Sequence, residues 1–226
     1  SDLSLDIPNN MSYYCINTLI QDIFARLIMS KETGKSRVLT SSEFKRVVKM
    51  QQSNKHGIRN TCCLYISYFL GLRAKEIASL NIGTFVDTSG NLKKEILLKR
   101  KMTKGSVQRR CYLTNDKLKK VVVEYLELRK KLSSYHVDAP LILSQKKCSF
   151  SPDTMQKLFG RMYRQVGLDG ASSHSGRRTF ATKLIDDGIA LTNVQKLLGH
   201  KNVQTTTGYI QENPMLLGKI SAGMNM

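Results

Sequence analysis

Several things are scarce in this sequence, and each scarcity excludes a class of protein. No apolar run approaches the roughly 18 residues that a membrane span requires, and the opening SDLSLDIPNN has neither a basic nor an apolar targeting segment. The expectation is a soluble protein with no membrane partner. Histidines number four, and no Cys or His stands two to five residues from another, so zinc-ligand spacing is missing and neither metal nor cofactor is expected. The five cysteines, Cys15, Cys62, Cys63, Cys111 and Cys148, form no CxxC and are odd in number, which fits core thiols in a reducing cytosol better than a disulfide framework. Acidic residues are few as well. Against 17 Asp+Glu stand 36 Lys+Arg, a formal net charge of +19, and that excess points to a polyanionic partner. Repeats and low-complexity tracts are absent, and a hydrophobic content of 41% excludes a disordered basic tail. A chain of 226 residues can bury a core of its own.

What is present reads mostly as helix. Tyr13, Ile16, Ile20, Ile23, Leu27 and Ile28 recur at helical spacing, and KETGKSR then has the composition of a linker, which puts a domain boundary near residue 35. Thr40 with Glu43 forms a capping-box pattern. NTCCLYISYFL, residues 60–70, is apolar on nearly every face, as a buried helix would be, and stops at Gly71. Leu92 to Leu98 and Val107 to Leu113 are short β-prone runs around KRKMTKGS, preceded by the turn residues of FVDTSGN. Further helices are expected over 118–132, over 152–166 behind Ser151 and Pro152, over 175–187 up to Gly188, over 193–198 behind a Thr192–Gln195 capping box, and over 203–211. The fold class is mainly α with a small three-stranded antiparallel sheet. Between Lys93 and Lys131 lie 14 Lys+Arg and 4 Asp+Glu. A charge so localised favours phosphate contact through Lys99, Arg100, Lys101, Arg109, Arg110, Lys119 and Lys120.

The stretch HSGRRTFATKLIDDGIALTNVQKLLGHKNVQTTTGYIQ, residues 174–211, gathers His174, Arg177, His200 and Tyr209. His174 and Arg177, three apart, share one side of a helix that begins by residue 174. His200 follows Gly199 at a helix stop, and Tyr209 sits in a polar setting of threonines and glycine. These residue types suit metal-free attack on a phosphodiester. Arginine presents a planar fork of donors to the nonbridging oxygens. A tyrosine phenol, with a reference pKa of about 10, needs a proton acceptor and a positive field to act as nucleophile. The leaving alkoxide needs a proton from a Lys or His.

On these residues the chain resembles the tyrosine recombinases, the relatives of lambda integrase, Cre and the Xer proteins, from about Leu39 to Ile210. GLRAKEIASL resembles their first arginine box, KMTKGSVQRRCYL their hairpin lysine segment, HSGRRTFAT their His-x-x-Arg box, and LLGHKNVQTTTGY their His and nucleophile box. The resemblance implies Arg73 and Arg177 as a phosphate clamp and Lys104 as the acid for the leaving 5′ hydroxyl. His174 would assist proton transfer, and His200 would hydrogen-bond a nonbridging oxygen. Glu76 would orient its neighbours, and Tyr209 would become joined to the 3′ phosphate. It implies double-stranded DNA as partner, a homo-oligomer, tetrameric on paired sites, and a cytoplasmic setting in a bacterium or in the host of a mobile element.

Two departures are visible. Gly176 stands before Arg177 where the family often has Leu, a change expected to loosen packing. Only about 35 residues precede the catalytic portion, where relatives carry a DNA-clamping domain, and the expectation is a fragment. The chain is thus divided into residues 1–35 as N-terminal helix and linker, 36–213 as catalytic domain and 214–226 as tail. A type IB topoisomerase and a catalytically silent DNA-binding regulator stay open as alternatives. Plasmid relaxation without a cognate site distinguishes the first, and failure to form a covalent adduct the second.

Overall fold

The computed structural model describes residues 36–103, 108–132 and 135–209, all within the unit Ser36–Met226. The helix read over 13–28, Lys104, the side chain of Lys101 and the tail from Pro214 lie outside the described residues.

Helix α1, Ser41–Gln52, starts where the capping pattern puts it. Thr40 Oγ1 accepts from the Glu43 N–H at 3.2 Å and Glu43 Oε2 accepts from the Thr40 N–H at 2.9 Å, so two orphan donors of the first turn are satisfied reciprocally. The apolar run becomes α2, Gly57–Leu70, which ends at Gly71 in the left-handed conformation (φ 61°). Cys62, Cys63 and Ile66 on α2 are fully buried. Two short helices follow, α3 (Ala74–Ala78) and α4 (Ile82–Phe85). Strands β1 (Glu95–Leu98) and β2 (Arg109–Tyr112) pair antiparallel, Leu98 opposite Arg109 and Glu95 opposite Tyr112.

The expected three-stranded sheet has two strands among the described residues. Leu92 meets Val86 only in an isolated antiparallel bridge, because α4 occupies the residues just before it and leaves Val86 as the single extended position at its C-cap.

Five helices complete the described chain: α5 (Asp116–Lys130), α6 (Pro152–Arg164), α7 (Ser175–Asp186), α8 (Leu191–Leu198) and α9 (Gln204–Thr207). Asn115 and Ser151 cap α5 and α6 through their side chains, and Pro152 takes the first turn of α6, where its missing N–H costs nothing. Helix α8 begins at Leu191, two residues earlier than the Thr192–Gln195 box puts it, with Ala190 as N-cap and no side-chain cap. Gln195 instead donates Nε2–H to the His200 carbonyl at 3.0 Å. Helix α9 is shorter than the expected 203–211, and Tyr209 follows it in a turn.

Helix α2 is the axis of the domain, with α1, α5 and α7 packed around it, while α3 packs on α6 and α8 on β2. The main core joins residues such as Leu64, Leu72, Ile77, Phe85, Ile96, Val122 and Phe159, all fully buried or nearly so. Each such aliphatic or aromatic side chain contributes roughly 1.5–3 kcal/mol. A second, smaller cluster of Ala181, Val194 and Leu198 lies under α7 and α8, with Phe180, Leu184, Ile185 and Tyr209 packed against it. Cys62, Cys63 and Cys111 are core thiols as expected, and burial pushes Cys63 up to about 12. Cys148 is exposed and is not one.

Gly176 does the opposite of loosening the packing. On α7 it faces Ser67 of α2, and a Cβ there would lie 2.4 Å from Ser67 Oγ and 2.9 Å from Ser67 Cβ. The glycine is what lets α7 approach α2 so closely. Gly176→Ala is expected to cost about 1–3 kcal/mol through overpacking, measured by chemical denaturation, and Ser67→Gly in the same chain should recover part of the loss. An unchanged unfolding midpoint in Gly176→Ala would contradict this contact.

Candidate active site

The residues singled out in three separate stretches meet around one carboxylate. Glu76, on α3, is fully buried. Its Oε2 accepts from the Arg73 backbone N–H at 2.8 Å and its Oε1 from Arg73 Nη1 at 3.1 Å. Arg109 Nη2, from the base of β2, reaches Oε2 at 2.6 Å, and Arg177 Nη1, from α7, stands 3.9 Å from the same oxygen. Three guanidiniums thus share one carboxylate, leaving two positive charges uncompensated by acidic groups within the cluster.

Arg177 is 1% exposed and spends its donors on backbone and histidine. Nη1 donates to the Gly71 carbonyl and Nη2 to the Leu198 carbonyl, each at 2.7 Å. Both acceptors lie at helix C-termini, where the last carbonyls have no partner within the helix and carry the negative end of the dipole. Burial first, then the charges of Arg73 and Arg109, draw the Arg177 pKa down to about 10, with Glu76 pulling the other way. The guanidinium stays charged at neutral pH. Its Nε, like that of Arg109, is buried without a hydrogen-bond partner.

His200 sits behind Gly199, whose left-handed conformation (φ 65°) turns the chain at the end of α8. Its Nε2 lies 2.9 Å from Arg177 Nη2 and its Nδ1 2.8 Å from Thr206 Oγ1. Burial and the positive charges of Arg177, Arg73 and Arg109 push its pKa down to about 3, so at neutral pH the ring is uncharged. A guanidinium can only donate. Nε2 is therefore the acceptor, the proton resides on Nδ1, and that proton goes to Thr206. The ring stacks on Tyr209 with centroids 5.7 Å apart and planes 10° apart. Tyr209 is half-buried, its carbonyl taking a hydrogen bond from Thr182 Oγ1 at 3.4 Å.

The sequence reading thus finds Arg73, Glu76, Arg177, His200 and Tyr209 in one cluster. His174 stands at the N-cap position of α7 without a side-chain capping hydrogen bond and is exposed, with Nδ1 3.4 Å from Ser173 Oγ. Of the basic residues read as phosphate contacts, Lys99, Arg100, Arg110 and Lys120 are exposed. Arg110 pairs with Glu95 at 3.0 Å and the half-buried Lys119 with Asp116 at 2.8 Å. Arg109 is a correction. Its side chain is 3% exposed and ion-paired to Glu76, so it belongs to the Glu76 cluster and not to the exposed basic face of Lys99, Arg100, Arg110 and Lys120. The signal was available in strand alternation: β2 buries Arg109 and Cys111 and exposes Arg110 and Tyr112. Thr206, the partner of His200, was not singled out, and nothing in the run TTT distinguishes it. Among the described residues no group of three or more His, Cys, Asp or Glu is placed to hold a metal, and no helix is long and apolar enough to cross a membrane.

Fold and site together define a mainly helical domain built around a buried arginine cluster with a tyrosine at its edge. The Phage integrase family model matches residues 37–215, most of the chain, and the chain belongs to that family. Among its relatives are the tyrosine recombinase XerD of Neisseria meningitidis serogroup A, 31% identical over 154 residues that are 68% of this chain and 50% of that protein. Another is the tyrosine recombinase XerA of Pyrococcus horikoshii, 29% identical over 212 residues, 92% of this chain and 68% of that protein. The chain spans about half the length of the XerD relatives. The fold is that of the XerA recombinase crystal structure (TM-score 0.68, 21% identity, 87% of this chain and 66% of that one). It is also that of the Tn1549 transposon integrase in complex with transposon right end DNA (TM-score 0.68, 17% identity, 96% and 81%).

The depressed His200 pKa has a definite sign in stability. Between about 3 and the ordinary histidine value of 6.5 the unfolded chain binds a proton that the folded chain refuses, so the contribution of His200 is complete above pH 6.5 and is lost as the pH falls toward 3. His200→Asn should therefore lose less stability than the parent between about pH 7 and about pH 4.5, compared by urea unfolding. Equal losses would place the histidine proton elsewhere.

Proposed function

We propose that this chain is the catalytic portion of a site-specific DNA recombinase that cuts and rejoins strands through Tyr209. What supports the reading is the anion-short cluster itself: Arg73, Arg109 and Arg177 around the single carboxylate of Glu76, with Tyr209 stacked on the adjoining His200. Such a pocket lacks a negative charge, and a DNA phosphate supplies one. In the reaction the Tyr209 oxygen forms a bond to phosphorus as the bond from phosphorus to the 5′ oxygen breaks. The phenol gives up its proton, and the 5′ oxygen takes one from Lys104. The 3′-phosphotyrosine keeps the energy of the broken ester, and attack by a 5′ hydroxyl reverses the step.

Arg73 and Arg177 hold the nonbridging oxygens, and each donor aimed at the transition state is worth about 10² to 10³ in rate by analogy with oxyanion holes. His200, neutral and accepting from Arg177, orients that arginine. For it to donate to a phosphate oxygen its proton must move to Nε2, an exchange for which the Thr206 hydroxyl is the nearest relay. His174, exposed at the start of α7, is available to exchange the phenol proton. Exposed Lys99, Arg100, Arg110 and Lys120 track the DNA backbone. The acting unit is a homo-oligomer, a tetramer on paired sites.

The test is a nicked duplex that traps the cleaved state. The parent is expected to form an SDS-stable adduct mapping by peptide mass to Tyr209, and Tyr209→Phe to bind the duplex as before and form none. An adduct on another tyrosine overturns the assignment. Lys104→Ala should lose cleavage and regain it on a substrate with a 5′-thio leaving group, which needs little protonation; no recovery would move the acid role to another residue.

A further inference from the structure

The geometry points to Arg109 as a positioning residue of the cleavage reaction, one that holds the His200 turn and the base of the hairpin in register with the Arg73–Glu76 corner. This rests on the recombinase reading above. Arg109 opens β2 opposite Leu98, five residues after Lys104 in the chain. Its guanidinium works in two directions. Nη2 takes the Glu76 carboxylate at 2.6 Å, and Nη1 donates to the Leu197 carbonyl at the C-terminal end of α8. The stem is enclosed as well, since a Cβ on Gly199 would lie 2.6 Å from Arg109 Cδ. The turn of residues 197–200 is thus folded down onto the arginine.

Consequences for the reacting groups run through that turn. Leu198, between the two contacts, offers the carbonyl that holds Arg177, and His200, one residue past the glycine, meets Arg177 Nη2. A shift of the turn moves both acceptors of that clamp nitrogen together. Lysine in place of Arg109 could meet Glu76 or the Leu197 carbonyl but lacks the fork to bridge them. With its terminal nitrogens engaged by Glu76 and the Leu197 carbonyl, Arg109 is expected to act in the chemical step and not in binding.

Arg109→Gln and Arg109→Lys decide the matter, with DNA half-saturation, adduct rate at saturating nicked duplex, and the ¹⁵N NMR signature of the His200 tautomer as readouts. Arg109→Gln is expected to keep half-saturation within about twofold and to lose about a hundredfold in adduct rate, the scale of a displaced catalytic group. Its His200 signal should change from a single Nδ1–H form to a mixture. Arg109→Lys should regain about tenfold of the lost rate. A folded Arg109→Gln with parental rate and tautomer overturns the proposal, and so does a loss confined to half-saturation, which would make Arg109 a phosphate contact. Should Arg109→Gln fail to fold, Arg109→Lys carries the test, and parental rate and tautomer there overturn it. If the parent itself forms no adduct, the recombinase reading fails while the His200 signal still decides the role of Arg109.

Discussion

The buried carboxylate of Glu76 is the constraint on which the site depends. A charge with no solvent exposure must be paired and hydrogen-bonded or it cannot stay ionised. Glu76 meets that demand with donors from three places: the backbone and side chain of Arg73 at the start of α3, Arg109 at the base of β2, and Arg177 on α7 at longer range. Because each partner belongs to a different element, satisfying one anion fixes the relative placement of all three.

Arginine plays a second part throughout the domain, as a cap for carbonyls that secondary structure leaves unpaired. Arg177 takes Gly71 and Leu198, and Arg109 takes Leu197, all at helix C-termini. In the main core Arg59 donates to the Leu143 carbonyl, and Arg129 to those of Leu141 and Pro140. Negative helix ends and orphan carbonyls form a setting in which a cation can be buried without a carboxylate of its own. That is how an excess of positive charge is kept inside the fold, beside Tyr209.

Much of this was legible in the chain. Helices α1 and α6 start where their capping residues put them, α5 lies where its apolar spacing puts it and α2 where its apolar run does, since caps, stripes and apolar runs are local features. The family boxes brought Arg73, Glu76, Arg177, His200 and Tyr209 to notice before any contact was known. What failed depended on tertiary contacts. Arg109 and Arg110 are chemically identical neighbours, and only the facing of β2 decides which one is buried. Helix α8 starts at Leu191 with no side-chain cap, and Gln195 serves the His200 carbonyl instead of a capping box. Only two β-prone runs were visible in the sequence, and among the described residues the sheet has two strands, with Val86 and Leu92 joined in an isolated bridge. Gly176 was read as a loss of side chain, whereas it is an accommodation to Ser67 across a helix interface that sequence does not display.

The account stands most directly on Glu76 as the anchor of the arginine cluster, and Glu76→Gln tests it with the least change of shape. Replacing the carboxylate by an amide leaves Arg73, Arg109 and Arg177 without their shared anion. Breaking a buried charge pair in this way should lower the free energy of unfolding by about 3–5 kcal/mol, measured by denaturant titration with the slope checked for two-state behaviour. A Glu76→Gln variant within about 0.5 kcal/mol of the parent would contradict the account, because a surface-like tolerance is not compatible with a buried carboxylate that organises three cations, two of them buried.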